Sequence, residues 1–496
     1  MSKIRTLFYL IIFVGLKTTV SSQNESLKSI GLSDIISIAN KKSLASFKIQ
    51  REYTADYWRY RSFGASLLPK IDFTTEPFTF TRSFVRRYDN ENNIDVFRLQ
   101  QNLFSFGQIS ITQNVLFSNA KIYASSSLGR LANNGENTFE NYSATPIQIG
   151  IEQPIMAFNE LKWQRKSLDL EFAVAKQDVV YGYQSINLEV LKLFFEWALA
   201  DAQFDLALIN LSNSDKILSI GNKKYEIGSI ERDELLSLKL EKNSAQSSLV
   251  NAQNYKNEAL SKLEIYLGVK LENNKPKLPE MVFNIYIDND EALKLAKTNN
   301  PKFLNIEIDR IYAEKDFDRI VKENRFKLSI NASYGLNQQS NSLSSAYSDF
   351  LEQQLVAVTF TLPLVDWGER KGKIETAKQT KEIKEIELNQ TQNNLIQEVY
   401  NAVSNFNSQH DLVVNSQEAK SIASETYELI EKKFLRGNVD LLRLINVREA
   451  KLNTSLNYIE TLKNFWEAYY KIQQLTLFDF KTSQTLKNSY SSSKMN

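Results

Sequence analysis

The sequence states one pattern twice, 209 residues apart. Gln153-Pro154-Ile155, followed by Phe158-Asn159-Glu160-Leu161-Lys162, returns as Leu362-Pro363-Leu364, followed by Trp367-Gly368-Glu369-Arg370-Lys371. Lys224-Tyr225-Glu226-Ile227-Gly228 returns at the same offset as Lys433-Phe434-Leu435-Arg436-Gly437. Pro154 and Gly228 are 74 residues apart, and so are Pro363 and Gly437. Each half must therefore carry one long element that tolerates no insertion. A chain of 496 residues ordinarily divides into several domains. This one reads as two copies of a single unit.

Only 15 glycines and 8 prolines interrupt the chain, and several intervals far beyond ordinary helix length contain neither. Residues 155–221 and 364–432 read as long helices. In the first, Leu188, Leu191, Phe195, Leu199, Ala202, Leu206 and Ile209 recur with heptad-like spacing, crowded by Leu193, Phe194, Trp197 and Ala198. Apolar residues on more than one flank suit a helix packed between two neighbours in a curved wall. Each long helix ends near a glycine, Gly228 or Gly437, and a return helix starts at once, over 231–267 or 439–475. Each return helix is the shorter partner. The helical segment before the strands, 44–67 or 302–324, is expected to stack on its end.

Strands are predicted between the helical stretches. Ile147, Ile149 and Ile151 alternate with Gln148, Gly150 and Glu152. Leu328, Ile330, Ala332 and Tyr334 alternate with Ser329, Asn331 and Ser333, and Val356, Val358 and Phe360 with Ala357, Thr359 and Thr361. One apolar and one small or polar face describe a sheet with unlike sides, as in a transmembrane barrel or at a sandwich edge. Ala39 aligns with Ala296 at an offset of 257, which also pairs Lys70-Ile71 with Lys327-Leu328. The later fall from 257 to 209 places 48 extra residues in the first half, within 80–144. Partial alternation at Ile109, Ile111, Gln113, Val115 and Phe117 suggests that this insert extends a strand hairpin.

Residues 1–22 read as a secretory signal. Lys3 and Arg5 precede an apolar run from Leu7 to Leu16, and Val20-Ser21-Ser22 supplies small residues for cleavage. That run is too short to span a bilayer. The signal removes Lys3, Arg5 and Lys17 from the 60 basic residues, leaving 57 against 58 acidic ones. No net field favours nucleic acid. Without cysteine, an exported chain must be held by packing alone. The single histidine, His410, falls in a helical stretch. Neither a nucleophile–base pair, a metal cluster nor a phosphate loop is legible, so no enzyme, cofactor or metal is expected.

Taken together, these landmarks resemble the outer membrane efflux protein family, the TolC-like channel-tunnels, and within it a Bacteroidota-type member. The pieces are Ala39-Asn40, Ala296 with Asn300-Pro301, Leu67-Leu68-Pro69 before a strand, Gln153-Pro154-Ile155, Leu362-Pro363-Leu364 with Trp367-Gly368, and the two tip glycines. Each glycine follows an aromatic residue by three positions and precedes a Leu-Leu pair, Leu235-Leu236 or Leu441-Leu442. The resemblance covers about residues 30–478. It implies a mixed α/β membrane protein: a homotrimer whose protomers each give four strands to a twelve-stranded outer-membrane β-barrel, continued by a long periplasmic α-helical barrel. Two tandem structural repeats would supply it, residues 23–278 (strand pair about 70–153 with a long extracellular insert, hairpin 155–267) and 279–478 (strand pair about 327–362, hairpin 364–476), followed by a flexible tail, 479–496.

The implied partners are outer-membrane lipid, a periplasmic adaptor and an inner-membrane pump of RND or ABC type, serving multidrug efflux or type I secretion. The resemblance also puts adaptor contact at the hairpin tips, at Gly228, Gly437, Tyr225 and Phe434, and a pore constriction nearby. Family members often carry acidic residues six and nine positions after the second glycine. Here those positions are Arg443 and Asn446, with Asp440 at three, and the first repeat has Glu231, Glu234 and Ser237. A constriction built from Glu231, Glu234, Asp440, Arg443 and Asn446 would mix charges of both signs. The first repeat also has Ser43-Leu44 where the second has Asn300-Pro301. The competing class is a periplasmic coiled-coil structural or adhesion protein without channel activity, which would be recovered as a soluble monomer. Adaptor proteins also have long hairpins, but lack two tandem hairpins each preceded by amphipathic strands.

Overall fold

A computed structural model of the chain describes residues 28–134, 138–271, 274–279, 282–436 and 438–486. The expected signal, Gly437 and residues 487–496 lie outside the described residues. The first half runs β1 (Lys28–Gly31), α1 (Leu32–Lys42), α2 (Leu44–Ser66), β2 (Lys70–Asp89), β3 (Ile94–Val115), β4 (Ala120–Asn133), β5 (Phe139–Ile155), α3 (Glu160–Glu226) and α4 (Arg232–Leu267). After β6 (Asn274–Lys277) come α5 (Asn289–Asn299), α6 (Pro301–Glu323), β7 (Lys327–Ser340), β8 (Leu351–Thr361), α7 (Glu369–Leu435), α8 (Leu441–Thr476), β9 (Phe478–Asp479) and β10 (Gln484–Thr485).

Corresponding helices have equal lengths. α1 and α5 have 11 residues, α2 and α6 have 23, α3 and α7 have 67, and α4 and α8 have 36. At about 1.5 Å per residue the longest pair each run about 100 Å. The departure at Ser43-Leu44 keeps its role. Ser43 is the N-cap of α2 and its side chain accepts from the Ser46 N–H, while Asn300 caps α6 by accepting from Lys302, with proline at the first helical position. Both caps are buried, and either side chain satisfies an amide that has no partner in the first helical turn.

The chain divides into two compact units, Met1–Ser37 with Leu193–Glu280, and Ile38–Lys192 with Met281–Asn496. In the first, Phe194, Phe195 and Trp197 of α3 and Leu235, Leu238 and Leu263 of α4 are buried, and Leu238 lies against Gly221 of α3. Acids of α3 face lysines beyond: Glu196 with Lys262 at 2.9 Å, Asp201 with Lys256 at 2.6 Å, Asp215 with Lys242 at 2.8 Å. Only the Asp201 pair is largely shielded from water. The others orient the helices more than they stabilise them. β1 and β6 pair in parallel.

In the second unit α7 and α8 form an antiparallel hairpin around Val399, Val403, Phe406, Leu462, Phe465 and Tyr469. Phe283 sits on Phe465 with ring centres 5.1 Å apart. The expected end-to-end stacking of a short helix on a return helix is present here. Asn299, the last residue of α5, and Asn300, the cap of α6, donate through their side-chain amides to the carbonyls of Thr476 and Leu475, at the end of α8. The segment expected to fray from 479 is ordered as far as Leu486. β9 and β10 pair, the Tyr469 hydroxyl donates to Asp479, and the Leu486 N–H reaches the Leu477 carbonyl.

The sheet of this unit corrects the expected strand count. It has six strands in the order β2-β3-β4-β5-β7-β8, all antiparallel, where four were expected. The residues assigned to an insert form β3 and β4. Their connection, Leu116–Asn119, lies at the end of the sheet that joins the helices. Ile109 and Ile111 of β3 stand beside Phe73 and Ile71 of β2, and Ile122 of β4 beside Ile151 of β5. With apolar residues at matching heights, the added segment completes its hydrogen bonds as wall.

Candidate functional site

The two faces of the sheet differ along its whole width. One row across the strands reads Ile71, Ile111, Ala124, Ile149, Tyr334 and Gln354, each paired to the next. Phe73, Ile147, Ile151, Ile330, Val356, Val358 and Phe360 extend this apolar face. Several are strongly exposed, Val356 at 76% and Phe73 at 69%. The adjacent row, on the opposite face, reads Asp72, Ser110, Ser125, Gln148, Gly335 and Gln353. Exposed isoleucine, valine and phenylalanine in a continuous band require an apolar surrounding, and the polar face, which carries Asp72, suits water.

Hydrogen bonds fix the strand-to-helix junction. Asn159, just before α3, donates to the Leu116 carbonyl at 2.8 Å and caps the helix by accepting from the Lys162 N–H. Asn119 donates to the Phe158 carbonyl and Gln153 to that of Ser118. The β3–β4 turn is thus held against the entry to α3. Phe117 at that turn is 90% exposed. The turn lacks glycine and proline, and its one sequence signal is Ser118-Asn119, with Asn119 at φ +59°.

At the first hairpin tip the Ser229 N–H bonds the Lys224 carbonyl at 2.7 Å, and Gly228 has φ +73°. At the second, 209 residues on, the Asn438 N–H bonds the Lys433 carbonyl at 3.0 Å. A left-handed residue closes this kind of helix end, and glycine takes that conformation without strain. Tyr225 is exposed on the last turn of α3, beside exposed Ile227, and Phe434 is half-buried near the end of α7. Glu231 caps α4 by position only, without a side-chain bond, and Glu234 follows in the first turn. Asp440, its counterpart, accepts from the Arg443 N–H at 2.8 Å. Glu231, Glu234, Asp440, Arg443 and Asn446 are all exposed. Carboxylates at a helix start favour the helix dipole. Asp440 and Arg443 meet through that capping bond.

Among the described residues no group of His, Cys, Asp and Glu could hold a metal ion. His410 lies on α7 with Nδ1 3.2 Å from Asp411. One titratable group that no motif revealed is Asp178, on α3. It lines a cavity of about 260 Å³ with Asp56, Glu171 and Asp309. Desolvation, then the neighbouring Asp56 and Glu52 carboxylates, push its carboxyl up to about 6. The folded chain then holds this proton more tightly than the unfolded chain. Stability falls as pH rises from the ordinary carboxylate range through about 6. Asp178→Asn is expected to raise the midpoint of thermal unfolding at about pH 7.5 and to leave it unchanged at about pH 3. Thermal unfolding followed by circular dichroism at both pH values checks this.

A sheet apolar on one face and polar on the other, feeding helices about 100 Å long, defines an outer-membrane duct with a periplasmic helical part. The sequence profile described as "Outer membrane efflux protein" matches residues 91–269 and 292–476, and the chain belongs to that family. No curated protein matches it in sequence. Among solved structures it is similar to a membrane protein from Pseudomonas aeruginosa, with 12% identity, TM-score 0.64 and 91% of each chain covered. The CmeC outer membrane channel of Campylobacter jejuni gives 15%, 0.63, and 97% of this chain against 96% of that one. The outer membrane protein VceC of Vibrio cholerae gives 13%, 0.62, and 90% against 95%. At these identities the likeness is one of mixed α/β fold. By family the protein is a non-catalytic exit duct of the outer membrane for efflux or secretion. Among the described residues no helix is long and apolar enough to cross a membrane.

Proposed function

We propose that three copies of this chain form the duct, and that it carries solutes passively outward from an inner-membrane pump of RND or ABC type, through a periplasmic adaptor. The observation that carries this reading is the open sheet. Its outer strands, β2 and β8, each have a neighbour on one side only, and its apolar face is exposed in a single copy. A sheet edge cannot stay unpaired in hydrocarbon, and symmetric pooling of strands is the ordinary remedy. Extraction from the outer membrane with detergent, followed by native mass measurement, tests it. A trimer is expected. Recovery as a soluble monomer would instead favour the coiled-coil adhesion protein.

The tips are the proposed adaptor contacts. Tyr225 and Gly228 lie at the first bend and Phe434 near the end of α7, Gly437 is assigned to the second tip by its sequence spacing alone, and exposed Ile227, Leu236 and Leu240 add apolar surface at the first. The proposed constriction uses the first turns after the bends. Glu231 and Glu234 would ring the axis from one hairpin, and Asp440, Arg443 and Asn446 from the other. Three symmetry copies multiply the field of each residue. Arg443→Ala keeps the Asp440 cap, which uses only the backbone N–H. It is expected to change open conductance or opening frequency in planar bilayers. Traces identical to wild type would end the assignment of Arg443 to the constriction.

A further inference from the structure

We infer that the barrel closes by pairing β8 of one copy with β2 of the next, so that three copies make an eighteen-stranded wall whose mouth admits bulky hydrophilic solutes. This rests on the trimeric duct proposed above. Three observations support it. First, β3 and β4 are part of the wall: the apolar row runs from Ile71 through Ile111 and Ala124 to Ile149 without changing face. A hairpin folded outside the barrel would not keep its apolar residues level with those of its neighbours. Second, the directions match. Six antiparallel strands begin with β2 leaving the helices and end with β8 returning to them. A copy placed edge to edge therefore continues the antiparallel order. Third, both edge strands carry the apolar band to the edge, with Phe73 on β2 and Val356, Val358 and Phe360 on β8 all more than half exposed.

Barrel width follows strand number. With strands about 4.7 Å apart and tilted by about 40°, eighteen give a backbone diameter of roughly 35 Å, against roughly 24 Å for twelve. Side chains take about 5 Å from each wall. The inner rows offer mainly Ser, Thr, Gln and Asn, among them Thr74, Gln108, Ser110, Ser125 and Gln148. Such a wall wets well, and its charges near the helices, Asp72 beside Lys70 and Glu152 across from Lys121, come in opposite-sign pairs. The mouth is thus built for large polar cargo without selecting among cargoes.

The absence of cysteine makes the test clean, because every introduced thiol is unique. Thr74→Cys on β2 is combined in turn with Gln353→Cys, Leu355→Cys, Ala357→Cys and Thr359→Cys on β8. Oxidation is expected to give disulfide-linked dimers and trimers for at least one pair. The matched series with Ser125→Cys on β4 is expected to give none, because β4 lies between β3 and β5. Cross-links from Ser125 but not from Thr74 would mean that β2 and β3 lie outside the wall, and would overturn the inference. Absence of cross-links from Thr74 in a protein that still migrates as a trimer would overturn it equally. Loss of the trimer before any oxidation would strike the duct reading itself. Width is read separately. Ser110→Cys in intact cells is expected to react with maleimide-polyethylene glycol of about 10 Å hydrodynamic radius, which a twelve-stranded mouth excludes. Labelling by a small maleimide alone would refute the wide mouth.

Discussion

Ile149→Arg is expected to abolish recovery of assembled protein from the outer membrane, while Gln148→Arg, one residue away, is expected to leave it intact. Ile149 lies in the middle of the apolar row, between Ala124 and Tyr334. A cation on the lipid-facing side costs from about 0–1 kcal/mol near an interface to about 2–4 kcal/mol at the bilayer midplane per copy, and a symmetric assembly incurs it in every subunit. Gln148 points to the other face, where its amide lies 3.3 Å from the Ser333 hydroxyl. That contact is modest and the face is wet. Heat-modifiable migration of membrane extracts measures both variants. Equal loss from the two would mean that the faces have been assigned wrongly, because successive strand residues point to opposite sides.

The second large effect is expected at Gly335. A Cβ there would lie 2.8 Å from the Ile147 carbonyl oxygen and 3.0 Å from the Gln148 Cα. Both are backbone atoms beside the bulge between Ala144 and Ile147, where the strands of the two halves join. They cannot move aside as a side-chain tip could. Gly335→Val is expected to destabilise the protein by about 1–3 kcal/mol, the usual range for overpacking, and to lower the temperature at which the assembly dissociates. Gly372→Ala is the comparison. Nothing lies within 4 Å of its added carbon, and the position is helical. A stabilisation of about 0.5–1 kcal/mol is expected there from helix propensity. If both variants melt alike, the close approach at Gly335 is not what holds the junction.

Helices were legible because their ends carry local chemistry. Ser43 and Asn300 start helices, Gly228 ends one, and long intervals free of glycine and proline leave little alternative to helix. The two extra strands were less legible for equally local reasons. β4 contains Ser125-Ser126-Ser127 and Gly129, and β3 contains Gly107. These are poor strand formers in isolation, and they are placed by neighbours supplied from elsewhere in the chain. The turn between the strands is fixed by Asn159 and Gln153, which are distant in sequence. At the candidate site the bend at Gly228 was readable from glycine alone. The capping bond from Arg443 to Asp440 restates in structure what their spacing allows. Asp178 was invisible, because its proton affinity comes from α2 and from burial, and neither has a signature in its own segment.

The equal helices have a consequence for how such a chain can change. A single residue deleted within α3 would rotate everything beyond it by about 100° and shorten it by about 1.5 Å. Leu238, which sits so close to Gly221 that a Cβ there would approach it to 2.3 Å, would lose that seat. The 67-residue helices therefore act as fixed gauge lengths, open to substitution but closed to insertion. Length can vary where the chain reverses between strands, and a whole β-hairpin has been accommodated there while the helices of the two halves have kept the same count.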